Sequence, residues 1–226
     1  MPAMKGPRAD WNRRQRELRR LLESGEDHAA ALELFSRQHA QLHTIGMAGT
    51  ESWSYEDEVL DGIRAEQFRS IPAQGEHSIA WVVWHIARVE DVTMNLLVAD
   101  RQQVLHDGEW QKPMGSPIEH TGNAMSRTQI EALSTNLDLA ALRAYRQAVG
   151  QRTRRVVADL QPEEMRRKPS PQSLDRIWTE KAVLPEAKAI VDYWSRRTVI
   201  GLLLMPPTRH LLVHLNEAVA IKQQLG

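Results

Sequence analysis

The chain of 226 residues carries 29 lysine and arginine residues and 29 aspartate and glutamate residues, which gives a formal net charge of zero. This balance provides no electrostatic basis for binding nucleic acid or an acidic membrane surface, and we expect neither partner. The absence of cysteine excludes disulfides, cysteine-ligated zinc sites and a thiol nucleophile supplied by the chain itself. No apolar segment has the length of a signal peptide or a membrane span, so the sequence predicts a cytoplasmic protein.

Helical periodicity dominates the first half of the sequence. Apolar residues recur at helical spacing over 11–23 and over 27–43, and Asp27 is a suitable N-cap for the second segment. The glycine-containing stretch 45–49 then predicts a break in the helix. A capping box that begins at Ser54 predicts a short helix that ends at about residue 63.

The second half of the sequence predicts both long and short helices. Ser78 and Asp138 are the expected N-caps of two long helices, and Thr128 begins a capping box that predicts a short one. The stretch 108–126 predicts a loop, and a proline-punctuated connection precedes residue 186. The long helices are expected over residues 79 to about 105, 139–160, 186–204 and 208–225.

The absence of convincing polar–apolar alternation, together with this helical pattern, predicts an all-α fold. Four long helices joined by crossovers that contain short helices describe a four-helix bundle with insertions. We divide the chain into an N-terminal basic helical arm, residues 1–26, and a bundle domain, residues 27–226. The basic run 13–20 within the arm is balanced by Glu17 and Glu23, which favours a solvated helix face or a dimer-contact arm over nucleic-acid binding.

His210 and His214 are the first candidates for chemistry. They are four residues apart in the last predicted helix, so their side chains lie on one face, one turn apart. Two imidazoles arranged in this way can bind one metal ion, as they do in the H-E-x-x-H motif of zinc peptidases. Leu211 stands where that motif has glutamate, which argues against a peptidase. Nine histidines also produce such pairs by chance, so a third ligand is needed.

His85 is the candidate third ligand, and it lies in the segment 78–95 on a helical face shared with Trp81 and Arg88. On spacing alone, packing of His85 between Trp81 and Val89 is the ordinary explanation. The segment nevertheless resembles the second-helix signature of the DinB-like (YfiT-like) superfamily of bacterial metal-binding four-helix bundles. The resemblance runs from about residue 27 to about residue 222 and includes short motifs at 121–123, 145–149, 193–194 and 205–210.

In that family, one histidine on the second helix and two on the last helix form a three-histidine metal site. The resemblance therefore implies that His85, His210 and His214 are metal ligands. Three neutral imidazoles bind a divalent ion, with zinc or nickel expected, and leave coordination positions open for water or substrate. The family includes metal-dependent transferases that use a low-molecular-weight thiol and many members with no assigned activity. It also implies a homodimer and, for an enzyme, a small-molecule substrate and an exogenous thiol.

Three further residues are candidates for the pocket around the metal. His43 lies near the C-terminal end of its predicted helix, where it could line the pocket. Glu217 lies three residues beyond His214 and either supports this ligand through a hydrogen bond or is an ordinary paired surface carboxylate. Trp81 is the third candidate, with core packing as its alternative. His39 is expected on a partly exposed helix surface.

The remaining polar residues near these candidates have ordinary explanations. Glu90 and Asp91 either orient a ligand or pair with Arg88, and pairing is the commoner role for charges on the rim of a bundle. Four other histidines lie in predicted loops or at helix ends and receive no role: His28, His77, His106 and His120.

Two functional classes remain open after the sequence alone. The first is a metal-dependent thiol transferase, in which an exogenous thiol completes a three-histidine site. The second is a non-catalytic metal-binding protein with a stress-response or interaction role. A helical bundle whose three histidines are only packed is the alternative to both, and metal analysis of the purified protein separates it from them.

Overall fold

The structure is a computed structural model that describes residues 7–48 and 53–226. Within these ranges every regular element is a helix and there is no strand, so the all-α prediction is confirmed. The count of four principal helices stays a prediction. None of the described helices is long and apolar enough to cross a membrane. The first six residues of the predicted N-terminal arm and Gly49 of the predicted break lie outside the described residues.

The helices of the N-terminal part begin where side-chain caps predict. Asp27 accepts a hydrogen bond from the backbone N–H of Ala30 at 2.9 Å, and Ser54 accepts one from Asp57 at 3.1 Å. Each cap satisfies a backbone donor that the first turn of a helix leaves without a partner. The five helices are α1 (Pro7–Ser24), α2 (His28–Ala40), α3 (Ile45–Ala48), α4 (Tyr55–Leu60) and α5 (Ala65–Arg69).

The central part departs from the prediction at two helix ends. The helix that begins after Ser78 ends at Val98 instead of about residue 105, and its last seven residues form a π-helix. The short helix near residue 128 is capped by Ser126, which forms a reciprocal capping box with Gln129. The elements are α6 (Ile79–Asp91) with its π-helical continuation (Val92–Val98), α7 (Val104–Asp107), α8 (Gln111–Met114), α9 (Arg127–Asn136) and α10 (Leu139–Asp159).

The C-terminal part contains more breaks than the prediction. The expected helix over 186–204 is split, because Thr198 caps a new helix by accepting from the backbone N–H of Gly201 at 3.4 Å. The last helix is entered through a π-helical turn that contains Pro206 and Pro207. The elements are 3₁₀ turns Pro162–Glu164 and Pro185–Ala187, α11 (Pro171–Thr179), α12 (Lys188–Ser195), α13 (Val199–Leu203), the π-helical turn (Met205–His210) and α14 (Leu211–Gln224).

Helix α6 is the centre of the packing. All thirteen of its residues are buried, and it contacts α10 on one side and α14 on another. A helix that is buried on every face is surrounded by other elements, and its charged residues need partners inside the core. Helix α1 packs against α2 and buries Trp11, Leu18 and Leu22. Its basic residues form exposed ion pairs along the helix surface, such as Arg19 with Glu23.

A buried polar network fastens the segment after α6 to that helix. Arg88 donates to Asp91 at 2.9 Å, to the Tyr145 hydroxyl at 2.7 Å and to the Glu119 carbonyl at 2.5 Å. Asp91 in turn accepts a hydrogen bond from the backbone N–H of Val104 at 2.8 Å. Buried charges need such partners, because an unpaired one costs several kcal/mol. The network therefore holds the loop before residue 121 in a fixed position beside α6.

Candidate metal centre

His85 lies in the second turn of α6, where the whole circumference of the helix is covered. The Ser78 hydroxyl accepts from the backbone N–H of Trp81 at 3.0 Å and so fixes where this helix begins. The side chain of His85 projects from the buried helix and is only 2% exposed. The position of this histidine is therefore set by the core and not by solvent.

His210 and His214 come from the junction between the π-helical turn and α14. His210 is the last residue of that turn, and His214 follows one α-helical turn later. Their ring centroids are 4.5 Å apart, and both side chains are partly covered. Helix α14 packs against α6, which brings this pair opposite His85.

The three imidazoles converge on one point. The ring centroid of His85 is 5.1 Å from that of His210 and 5.0 Å from that of His214. The three ring planes are steeply inclined to one another, at 61° to 76°. One nitrogen from each ring lies within 4.8 Å of the others. Edges that meet in this way, instead of stacked faces, can direct lone pairs toward a shared ion.

Hydrogen bonds fix which nitrogen of two of these rings is free. His85 Nδ1 lies 2.6 Å from the Thr121 carbonyl oxygen, which can only accept, so this nitrogen must donate a proton. His214 Nδ1 similarly donates to Glu217 Oε2 at 2.8 Å. When these rings are neutral, each Nε2 therefore carries a lone pair. This is the usual arrangement of histidines that bind metals.

The protonation of the group favours neutral ligands. Burial, together with nearby His214, lowers the pKa of His85 to about 3. Burial followed by the influence of His85 and His214 holds the pKa of His210 well below its ordinary value. Burial opposes ionisation of Glu217, but hydrogen bonds from His214 and His77 outweigh it and lower the pKa of this carboxyl to about 2. At neutral pH, His85 and His210 are neutral and Glu217 is a carboxylate.

His77 and Trp81 complete the surroundings of His214 and His85. His77 Nδ1 lies 2.6 Å from Glu217 Oε1, so one carboxylate connects His77 to His214. The Trp81 ring is sandwiched between His77, at 3.8 Å between centroids, and His85, at 4.5 Å. His77 received no role from the sequence. It lies 140 residues before Glu217 in a separate element, so no periodic pattern in the sequence predicts their contact.

Two depressions border the three-histidine group. A groove of about 610 Å³ is lined by His77, Glu217 and neighbouring residues of α14. A much smaller pocket of about 40 Å³ lies against His210 and is lined in part by Asn123 and Tyr193. The groove is lined by Glu217, which is hydrogen-bonded to His214, whereas the pocket is lined by the candidate ligand His210 itself.

The loop that supplies the Thr121 carbonyl depends on the glycine that follows it. Gly122 has a φ of +87°, in the left-handed region that side chains disfavour. A Cβ atom at this position would lie 2.6 Å from the Trp84 ring and 3.3 Å from Trp81 Nε1. The close approach of this loop to α6, and with it the hydrogen bond to His85, therefore requires glycine.

A second group of side chains that could bind a metal ion lies on the α2 side of α6. His39, His43 and Glu90 bring one candidate ligand atom each to within 4.8 Å of the others, and all three side chains are buried. The expectation that His39 lies on a partly exposed surface is wrong, because its side chain is fully buried and contacts Phe35 and Glu90. His43 belongs to this group and not to the three-histidine group.

The two acidic residues of α6 have different partners. Asp91 pairs with Arg88, as the sequence favoured, but the pair is fully buried and not on a rim. Glu90 contacts His39 and His43 instead of an arginine. Adjacent residues on a helix point about 100° apart, which places the two carboxylates in separate environments.

Comparison with known proteins identifies the family. A sequence model of the DinB superfamily matches residues 48–184, which is more than half of the chain. The matched region includes His85 and Glu90, begins after His43 and ends before His210. Comparison with curated proteins finds no match.

Proposed function

The chain belongs to the DinB superfamily, and we propose that His85, His210 and His214 bind one divalent metal ion, zinc or nickel. In this proposal the site is that of a metal-dependent transferase that uses a low-molecular-weight thiol. The observation that carries the proposal is the convergence of one nitrogen from each ring within 4.8 Å. Imidazole is a good ligand for both metals, and three of them leave room for an exogenous ligand.

The residues fit such an ion in their hydrogen bonding. Two of the three rings donate through Nδ1 to fixed acceptors, which leaves Nε2 free. Among the described residues, Nδ1 of His210 is buried without a hydrogen-bond partner, so this ring is held by packing alone. The lone pairs left on these rings have no hydrogen-bond donor in the described part of the protein, so a metal ion could bind them.

The surrounding residues have distinct tasks in this proposal. A bound divalent ion would lower the pKa of a coordinated thiol, because its positive charge stabilises the thiolate. The Thr121 carbonyl and the Glu217 carboxylate orient His85 and His214, and the negative charge of Glu217 makes the His214 ring a stronger donor. The Trp81 face excludes water from one side of His85.

The alternative is a non-catalytic metal-binding protein with a stress-response or interaction role. The volume of only about 40 Å³ beside His210 favours it, because a thiol and an electrophile together need more space. The homodimer, the cytoplasmic location and the division at residue 26 stay predictions for either function.

Metal analysis tests the shared part of both functions. We expect the purified protein to contain a divalent ion that is lost from the His85→Ala and His214→Ala variants, with affinity reduced at least about 100-fold. His106→Ala is the matched control, since His106 belongs to neither histidine group. Thermal unfolding of each variant establishes that it is folded. Unchanged metal content in both ligand variants would contradict the proposal.

A thiol panel separates the transferase from the binder. The cobalt-substituted protein is mixed with low-molecular-weight thiols and an activated aryl halide, and the conjugate is measured. In the expected reaction the thiol proton leaves to solvent, a carbon–sulfur bond forms, the carbon–halogen bond breaks and halide departs. A thiolate-to-cobalt absorption band that the His214→Ala variant lacks supports the transferase. The absence of both band and conjugate with every thiol favours the binder.

A further inference from the structure

The group formed by His39, His43 and Glu90 has unusually short distances between its polar atoms. His39 Nε2 lies 2.7 Å from Glu90 Oε1 and 3.0 Å from His43 Nε2. His43 Nε2 in turn lies 3.2 Å from Glu90 Oε2. All three side chains are 0% exposed, so no solvent water separates these atoms.

Hydrogen bonds between neutral imidazoles and an ionised Glu90 leave one unfavourable contact in this arrangement. Each Nε2 atom carries either one hydrogen or one lone pair. If both rings carry the hydrogen on Nε2 and donate to Glu90, two donors lie only 3.0 Å apart. If only one ring does, the other directs a lone pair at the carboxylate. A cation shared by the two Nε2 atoms and the carboxylate would use a lone pair from each group and remove both contacts.

The spacing of the atoms also suits a shared ion. Ligand atoms bonded to one zinc-like ion at about 2.0–2.2 Å lie about 3 Å apart or slightly more. The two Nε2 atoms lie 3.0 Å apart, and they lie 2.7 and 3.2 Å from the two different oxygens of Glu90, which is close to that spacing. Only a slight separation of His39 from Glu90 is required to admit an ion.

The partners of Glu90 point the same way. Glu90 is buried, and its carboxylate contacts His39 and His43. Arg146, a buried guanidinium of α10, pairs instead with Glu56 at 2.6 Å. A buried carboxylate needs a compensating cation, and a metal ion would supply it.

The two rings are held in place by their neighbours. Phe35 stacks on His39 with ring centroids 5.6 Å apart and planes inclined by 12°. Gly150 of α10 leaves space for His43, because a Cβ atom there would lie only 2.7 Å from His43 Cε1. Rings that cannot rotate lose little entropy when they bind an ion.

We propose that His39, His43 and Glu90 bind a second divalent transition-metal ion, separate from the one at the three-histidine group. Two imidazoles and one carboxylate are a donor set that suits Zn²⁺ and Fe²⁺. The ion would link α2 to α6 inside the core and would be acquired as the chain folds, since the group has no exposed surface. Its function is to stabilise the fold and not to bind substrate.

The test isolates this group by first removing the other one. The His85→Ala/His214→Ala variant is refolded with Co²⁺, and bound metal and the visible absorption of cobalt are measured. We expect about one Co²⁺ per chain, and we expect Glu90→Gln in the same background to lose at least about nine-tenths of it. His106→Ala in the otherwise unchanged chain is the control and should retain two ions. Because this variant lacks the three-histidine site, its Co²⁺ content tests the second site alone. Either proposal can therefore fail without the other.

Two results would overturn the second site. One is a folded double variant that contains no Co²⁺, and the other is a cobalt spectrum that Glu90→Gln leaves unchanged. If the double variant does not fold, the unchanged chain is refolded with Zn²⁺ and crystallised. An anomalous peak bonded to His39, His43 and Glu90 then supports the proposal, and a peak restricted to the three-histidine group overturns it.

Discussion

The two histidine groups use the same chemical units in opposite surroundings. His85, His210 and His214 form a group beside a small pocket that His210 lines, and two of its rings have a hydrogen-bond partner on Nδ1. His39 and His43 are sealed in the core with Glu90, and Nδ1 of each ring is buried without a partner among the described residues. The first can be called the open group and the second the sealed group.

The difference shows how the surroundings of a histidine decide what it can do. Partners on Nδ1 prepare the open group to bind and release a ligand without rearrangement of its rings. The sealed group has its charge inside it, on Glu90, and no path by which a substrate could arrive. Metal binding is therefore compatible with both groups, whereas turnover is compatible only with the open one.

Acidification should have the largest effect on the stability of both groups. A histidine with a depressed pKa binds a proton more readily in the unfolded chain, so stability is lost as pH falls below the ordinary value of about 6.5. For His85 and His43 the loss continues toward a pKa of about 3. We expect the free energy of unfolding of the metal-free protein to fall by about 1 kcal/mol per pH unit for each such histidine between pH 6.5 and pH 5.

Urea unfolding at several pH values in the presence of a chelator measures this loss. His85→Gln and His43→Gln should each reduce the slope by the contribution of one histidine. A slope that neither variant changes would mean that the buried imidazoles do not control acid stability.

Truncation of one histidine in each group should separate the groups by stability. His43→Ala removes a ring that is 0% exposed and leaves a cavity, with an expected cost of about 2–4 kcal/mol. His214→Ala removes a partly exposed ring and should cost about 1 kcal/mol or less. The free energies of unfolding are compared without metal. Equal costs would contradict the distinction between a sealed and an open group.

The carboxylate beside His214 should affect only the open group. Glu217→Gln weakens the hydrogen bond to His214 Nδ1, and we expect metal affinity at this group to fall about 10–100-fold. Glu131→Gln is the matched control, because Glu131 forms an exposed pair with Arg127 on α9. Affinity is measured by competition with a chromogenic chelator. A loss of similar size in the control would indicate a general effect of charge.

A comparison of Gly122, next to Thr121, with Gly25 should give the smallest difference. Gly122→Ala adds left-handed strain of about 1–2 kcal/mol and a contact at 2.6 Å with Trp84. Gly25→Ala, at a φ of +70° with no atom within 4 Å of the added Cβ, carries the strain without the contact. The difference between the two variants in thermal unfolding, expected to be about 1 kcal/mol, reports how tightly the loop is held against α6. No difference would show that the loop moves away freely.

Local chemistry explains what the sequence predicted well. The caps at Asp27, Ser54, Ser78 and Asp138 were predicted because a cap depends on residues within one turn. The convergence of His85 with the pair on the last helix was implied by the family resemblance and not by spacing. Spacing alone could only place His210 and His214 on one face of a helix.

Contacts between distant elements explain what the sequence missed. The burial of His39 depends on how α2 packs against neighbouring helices, and an imidazole beside polar residues has no periodic signature of burial. The contact of His77 with Glu217 joins the turn before α6 to α14, 140 residues later. The π-helical ends were missed because helical periodicity assumes 3.6 residues per turn, and a wider turn shifts the pattern locally.

The π-helical turn Met205–His210 has a consequence for the direction in which side chains leave α14. A π-helix accommodates one more residue per turn than an α-helix, and Thr208 closes this one by donating to the Leu203 carbonyl at 2.8 Å. The turn therefore holds one residue more than a continuous α-helix would hold between the same ends. The direction in which His214 leaves α14 thus depends on this extra residue, because one residue more or fewer in a helix rotates everything after it by about 100°.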